Sequence, residues 1–314
     1  MTLPIQEWTT DNAAWARARP RLSVLIPFLY DDPRRLIAVL DREAPGLNQA
    51  VELVLLDDGS GDDEMAQAVL AAVQALALPA RLIRLLANEG RSRGRNRLAR
   101  HARAEHLLFL DSDMLPDQPD FLDRWLAQAS AQNPAVAFGG ISLDQAPQTP
   151  EHALHRRLAQ RADCAPARVR RRRPEKYVFT SNLMIRRDLF DAEPFDEGFK
   201  GWGWEDVEWG VRVSRRHAIH HIDNSATHLG LDPARVIAIK YEESAANFAR
   251  ILRAHPDVVR TYPSYRAARL LKLAPLRRLW RPILKALALA PPAPLALRAL
   301  SMRLYRAAVC AEAI

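Results

Sequence analysis

The chain has 314 residues, of which 48% are hydrophobic and 26% charged, enough for a large core in one or two folded domains. It contains no run of about 18 apolar residues, which excludes a transmembrane helix at the level of sequence. The net charge of +8 gathers in "RVRRRRPEK" (168–176) and across residues 266–306 and comes without zinc-finger spacing or an aromatic RNA-binding signature, so nucleic acid is not indicated.

Residues 1–20 carry acids and lack an apolar centre, and read as an N-terminal extension, not a secretory signal. Cys164 and Cys310 stand alone, without metal or disulfide spacing, which points to a reducing, cytoplasmic setting. "LSVLIPF" (22–28) predicts a buried parallel strand, and "DDPRRLIAVLDREAPG" a helix after it. "VELVLLDDGSGDDEMAQAVLAAVQALAL" predicts strand, acidic turn and Ala-rich helix, "ARLIRLLANEG" a third strand, and "RSRGRNRLARHARAEH" a basic helix. "LLFLDSDML" predicts a fourth strand. This alternation argues for an α/β fold with a mainly parallel sheet, whose ligands sit beyond the strand carboxyl ends.

Those ends are informative. The second closes on Asp57 and Asp58 and the fourth on Asp111 and Asp113, opposite a helix start carrying Arg91, Arg93 and Arg95. Mg²⁺ or Mn²⁺ takes oxygen ligands and bridges carboxylates to a diphosphate, and an arginine nearby complements the same phosphates. A solvated turn or a helix cap is the plainer reading, and the better one for Asp62 and Asp63. The Arg run at 168–176 reads either as a solvated loop or as a contact for phosphate or anionic lipid.

Downstream, "FKGWGWEDVEWG" sets Trp202 and Trp204 among glycines just before Glu205 and Asp206. An exposed Trp stacks on a sugar ring, and a carboxylate beside it takes a proton from a hydroxyl. Alternatively these tryptophans are core and the acids cap a helix, which is the preferred reading for Trp209. "HHIDNSATHLG" predicts a strand leading to a turn at His228, and "YEESAANFARILRAHP" a helix. Beyond 265, Leu270, Leu271, Leu273, Leu276, Leu279, Trp280, Ile283, Leu284 and Leu287 recur at helical spacing among basic residues, in segments broken by Pro275 and Pro282. Such a stripe lies on an anionic bilayer or packs on the main domain or a second subunit.

The ordered set "LSVLIPFLY", "VELVLLDDGSGDD", "NEGRSRGRN", "LLFLDSDMLP" and "GWGWEDVE" resembles family 2 glycosyltransferases of the GT-A fold over roughly residues 20 to 230. Residues 177–213 are similar to the chondroitin polymerases and the β-1,4-galactosyltransferases. The resemblance implies a GT-A domain at 21–255 and a basic helical extension at 256–314. By the same resemblance Asp113, Asp111 and His228 hold Mn²⁺ or Mg²⁺, and Pro27, Asp57, Asp58, Arg95, Asp111 and Ser112 bind the nucleotide sugar. Asp206 is then the base of an inverting transfer, Glu205 stands beside it, and Trp202, Trp204 and Glu205 meet the acceptor. The implied donor is a UDP-sugar by family habit. The implied acceptor is a glycan or a lipid-linked molecule of surface polysaccharide synthesis, used in the cytoplasm or peripherally on the inner membrane face. A nucleotidyltransferase would need a Gly- and Arg-rich loop after the first strand, which "PFLYDDPRR" lacks. A non-catalytic nucleotide-sugar binder would have eroded carboxylates, whereas Asp111, Asp113, Glu205 and Asp206 are all present.

Overall fold

The computed structural model describes residues 6–275 and 277–314; Leu276 and the side chains of Arg277 and Arg278, all part of the predicted stripe, lie outside the described residues. In chain order the elements are β1 (Glu7–Asp11), β2 (Leu22–Phe28), α1 (Arg34–Asp41), β3 (Val51–Asp57), α2 (Asp63–Ala75), β4 (Ala80–Leu85), α3 (Arg91–His101), β5 (His106–Leu110), β6 (Met114–Pro116) and α4 (Phe121–Gln132). They continue as β7 (Val136–Phe138), β8 (Ile141–Ser142), α5 (Ala153–Ala162), α6 (Ala167–Arg170), β9 (Asn182–Arg186), α7 (Arg187–Ala192), α8 (Glu205–Ser214), β10 (Ile219–His221), β11 (Ala226–His228) and α9 (Ala234–Ala254). The last helices are α10 (Pro256–Val259), α11 (Pro263–Leu273), α12 (Arg277–Leu289) and α13 (Leu295–Glu312).

The main sheet has the order β1-β4-β3-β2-β5-β9-β7-β10, and a small second sheet the order β6-β11-β8. Strands β4, β3, β2 and β5 are parallel, as the apolar runs predict, and every residue of β3 is buried because helices cover both faces. Strand order turns back at β2, with β3 and β4 on one side and β5 on the other, so the crevice of an open α/β sheet falls beyond β2 and β5.

Several expectations change. The N-terminal extension enters the sheet: β1 pairs antiparallel with β4, and Trp15 is buried beneath the guanidinium groups of Arg81 and Arg103. The fourth apolar run divides into β5 and β6, which belong to different sheets, with the acidic turn between them. Pro282 sits inside α12 and does not end it, because buried Leu284 and Ala288 hold the helix through the missing N–H. Helices α11 to α13 pack on α9 and α5 through a shared apolar core that includes Leu154, Ile237, Met302 and Tyr305. Among the described residues no helix is long and apolar enough to cross a membrane.

The arginine run is neither a loose loop nor a ligand contact along its whole length. Arg170 is buried and donates to the carbonyls of Ala165, Gly139 and Ile222 and to His221 Nδ1, while Arg171 donates to the His221 carbonyl. Burial, with Arg170 and Arg171 beside it, pushes the His221 imidazole down to about 4, so the ring is neutral and its Nε2 is free to donate to the Pro174 carbonyl. Replacing Arg170 with methionine orphans these acceptors and is expected to cost about 3 kcal/mol or more in urea unfolding. The unfolded chain takes up a proton near pH 6.5 and the folded chain only near 4, so stability falls as the pH drops through that window, by about 1.4 kcal/mol per unit. His221→Gln should flatten this part of the stability profile.

Candidate active site

The DSD sequence forms the turn between β5 and β6, where the Met114 N–H donates to the Asp111 carbonyl at 3.1 Å. Because β6 pairs antiparallel with β11, His228 lies opposite Met114, and the register brings its Nε2 to 3.0 Å from Asp113 Oδ2. The Leu229 N–H donates to the Asp113 carbonyl at 2.9 Å, and a Cβ at Gly230 would fall 2.0 Å from Asp113 Oδ2, so glycine is the residue that fits. Burial opposes both charges, but each partner outweighs it for the other: Asp113 is held below the usual carboxylate range and His228 above the usual imidazole range.

Asp111 turns elsewhere. Its Oδ1 accepts from buried Arg95 at 2.6 Å, and Arg91 approaches its Oδ2 at 4.0 Å. Among the described residues no group of three or more His, Cys, Asp and Glu forms a metal-binding cluster. The expected trio is therefore met as a pair, Asp113 with His228. The carboxylate is the hard oxygen ligand that Mn²⁺ and Mg²⁺ take, and the imidazole is acceptable to Mn²⁺ but poorly suited to Mg²⁺.

The second half of the site is built by a strained turn. Gly201, Gly203 and Trp204 take φ values of 68°, 84° and 77°. That conformation is ordinary for glycine and costly for a bulky residue, so packing and hydrogen bonds must hold Trp204 there. Its ring lies 5.0 Å from that of Phe248 with the Arg306 guanidinium over it, and the Asn247 amide donates to the carbonyls of Lys200 and Gly203 at 2.8 and 2.9 Å. The turn delivers Glu205 and Asp206 to the first turn of α8, where the helix dipole favours negative charge.

The two carboxylates differ in surroundings. Glu205 is 3% exposed; its Oε1 accepts from Arg91 Nε at 2.7 Å, and its Oε2 has no partner among the described residues. Burial tends to raise this carboxyl, but Arg91 and Arg95 overcome it and hold it low. Asp206 lines the cleft and makes only a local bond to the Val207 N–H; burial first, and the Glu205 charge second, push it up to about 7.

Of the predicted residues, Asp111, Asp113, Trp202, Trp204, Glu205, Asp206 and His228 line one cleft. Trp202 is half-buried beside Tyr241, whereas Trp204, at 7% exposure, is mainly a packing residue and not the open platform expected. Pro27, Asp57, Asp58, Arg95 and Ser112 are not on the wall of this cleft. Asp57 closes its own turn by accepting from Ser60 N–H and Oγ, and Asp58 accepts from the Glu89 and Gly90 N–H groups and the Asn88 amide, tying the β3 end to the start of α3. Burial pushes Asp58 up to about 6.

The same cleft gathers residues that carried no signal in the sequence: Asp31, His155, Asp163, Asp232, Lys240 and Arg306. Asp31 comes from the connection between β2 and α1, and the others from helices α5, α9 and α13 and the connections beside them, which only tertiary packing brings together.

A profile described as Glycosyl transferase family 2 matches residues 23–192. A glucosyl-3-phosphoglycerate synthase of Mycolicibacterium paratuberculosis is 30% identical over 137 residues, 43% of this chain and 40% of the relative. A validoxylamine A glucosyltransferase of Streptomyces hygroscopicus subsp. jinggangensis is 26% identical over 269 residues, 76% of this chain and 62% of the relative. The chain thus spans about 40 to 62% of the length of these curated relatives. Among solved structures, S. aureus TarS 1-349 aligns with a TM-score of 0.52 at 17% identity, over 91% of this chain and 89% of that one. The mannosyltransferase PcManGT from Pyrobaculum calidifontis, solved with GDP-Man and Mn²⁺, gives 0.56 at 14% identity over 94% and 87%. These likenesses show the fold, the GT-A arrangement that the sequence motifs resemble.

The Asn247 clamp is open to test by denaturation. Asn247→Ala leaves the carbonyls of Lys200 and Gly203 without their donor and is expected to cost roughly 1–3 kcal/mol. A red shift in tryptophan emission should accompany it as the turn loosens around Trp202 and Trp204.

Proposed function

The chain belongs to glycosyl transferase family 2, and from that premise we propose that it moves a sugar from a nucleoside-diphosphate donor, a UDP-sugar, to a hydroxyl of a glycan or lipid-linked acceptor with inversion at the anomeric carbon. The observation that carries this reading is the split between two neighbouring carboxylates: Glu205 is held low by its ion pair with Arg91, while Asp206 is raised to about 7 and has no cation bonded to it. Pushing two adjacent acids apart in this way assigns one to charge and position and the other to proton transfer.

In this reading the acceptor hydroxyl lies between Asp206 and the unpartnered Glu205 Oε2. Asp206 takes the hydroxyl proton as the oxygen attacks the anomeric carbon and the bond to the diphosphate breaks, so no covalent intermediate is needed. Asp113 and His228 would hold a divalent cation, which when bound would supply positive charge against the departing diphosphate. Imidazole ligates only when neutral, so His228 would serve as a ligand in its deprotonated form. Asp111 is oriented by Arg95, and Arg91 adds positive charge on the same side. The GDP-Man and Mn²⁺ held by the Pyrobaculum enzyme support a nucleotide-sugar donor and a cation here. The set Pro27, Asp57, Asp58, Arg95, Asp111 and Ser112 remains our assignment for the nucleotide side, with Asp57 and Asp58 acting through the turns they close and Arg95 through Asp111.

We further assign residues 21–255 to the catalytic unit and 256–314 to a helical unit that rests peripherally on the inner, anionic membrane face, where lipid-linked acceptors reside. This is supported by Leu270 and Leu273, 71% and 75% exposed on α11 beside exposed Arg266, Arg269 and Lys272.

Asp206→Asn is expected to lower transfer by about 10²–10⁴-fold while donor binding changes little. Loss of donor binding with turnover retained would contradict the assignment. The wild-type rate should rise with pH and level off above about 7, and Glu205→Gln should move that limb to lower pH by removing the charge that holds Asp206 up. Co-sedimentation with phosphatidylglycerol vesicles, but not with phosphatidylcholine vesicles, should be lost in the Leu270→Glu, Leu273→Glu double variant.

A further inference from the structure

Most cations around the cleft are already matched. Arg91 pairs with Glu205, Lys240 with Asp232 at 2.7 Å, and His228 with Asp113. Arg306, on α13, is the exception: it has no carboxylate partner among the described residues, and its Nε is buried without a hydrogen bond. Its guanidinium carbon lies 5.0 Å from the centre of the Trp204 ring and 4.9 Å from that of Tyr241. Aromatic contacts of this kind fix a guanidinium, and with the Tyr241 hydroxyl also in reach of it the remaining N–H groups of the rigid fork are left to a planar or tetrahedral anion. Trp204 immediately precedes Glu205, so the ring contact ties Arg306 to the turn that delivers Glu205 and Asp206 to the cleft.

We propose that Arg306 is the anion receptor of the acceptor subsite, so that the acceptor carries a phosphate or carboxylate group near the hydroxyl that receives the sugar. This rests on the glycosyltransferase reading of the same cleft and narrows it to a substrate class. It also gives the C-terminal helices a part in substrate choice separate from any contact with a membrane. Asp163, another wall residue, is pushed up to about 6 by burial and feels His228 and Arg306 only through space, with no ion pair to either among the described residues.

The test uses the full chain with glycerol 3-phosphate as the anionic probe and glycerol as its neutral counterpart. Calorimetry is run with UDP and Mn²⁺ present to fill the donor side. Wild type is expected to bind glycerol 3-phosphate and not glycerol, with affinity falling as salt is added. Arg306→Gln should weaken that binding about 10- to 100-fold, and Arg306→Lys should weaken it less. Both variants should keep wild-type affinity for UDP with Mn²⁺ and an unchanged circular dichroism spectrum. No binding of the probe to wild type, or equal binding by wild type and Arg306→Gln, overturns the proposal. Loss of UDP binding in Arg306→Gln would instead place the arginine on the donor diphosphate and overturn it equally. Failure of wild type to bind any nucleotide with Mn²⁺ would count against the glycosyltransferase reading itself, a separate result.

Discussion

Arg91 is the interaction on which the cleft depends. It opens α3, donates to Glu205 across a sequence separation of 114 residues, and reaches towards Asp111 on the opposite side. Collecting carboxylates at one sheet edge is costly unless positive charge is interposed, because each buried anion loses water and repels its neighbours. By bonding Glu205 directly and reaching Asp206 only through space, this arginine fixes which of two adjacent acids stays charged and which sits close to neutral pH. Asp113 and His228 solve the same problem differently, as a carboxylate and an imidazole hydrogen-bonded to each other.

Much of the sheet was legible because its strands are buried on both faces and therefore read as unbroken apolar runs. The acids at strand ends and the Gly-Trp-Gly-Trp turn were legible for a related reason, since each departs from what a solvated loop or a core requires. What stayed hidden depends on contacts between distant segments. β1 has the polar sequence "EWTTD", largely exposed at the sheet edge, and so lacks any apolar period. The β6–β11 register that brings His228 to Asp113 follows from a short second sheet with no signature of its own. Arg170 looked like one more member of a basic run, yet it bonds carbonyls on three separate segments. Asp57 and Asp58 were rightly singled out as unusual, but their visible bonds close turns and line no part of the cleft.

The strained turn shows where stability has been given up. Trp204 in a left-handed conformation, with an orphaned Nε1 and an unpartnered Glu205 Oε2 next to it, is held by Asn247, Phe248 and Arg306 from helices that lie outside the sheet. Buried polar atoms without partners beside a cleft, with firm packing around them, are the pattern expected where a substrate supplies the missing partners.

The two walls of the cleft answer to different constraints. On the sheet side a slip of one residue would turn every side chain of a strand to the wrong face, so Asp111, Asp113 and His228 are locked to one another. On the helical side, α5, α9 and α13 keep their apolar faces in the core, and apart from Arg306, which braces Trp204, the side chains they present to the cleft can be exchanged singly at modest cost to the fold. Divergence among relatives of this chain would then proceed as drift along the helical wall, with new acceptors tried against chemistry that stays fixed.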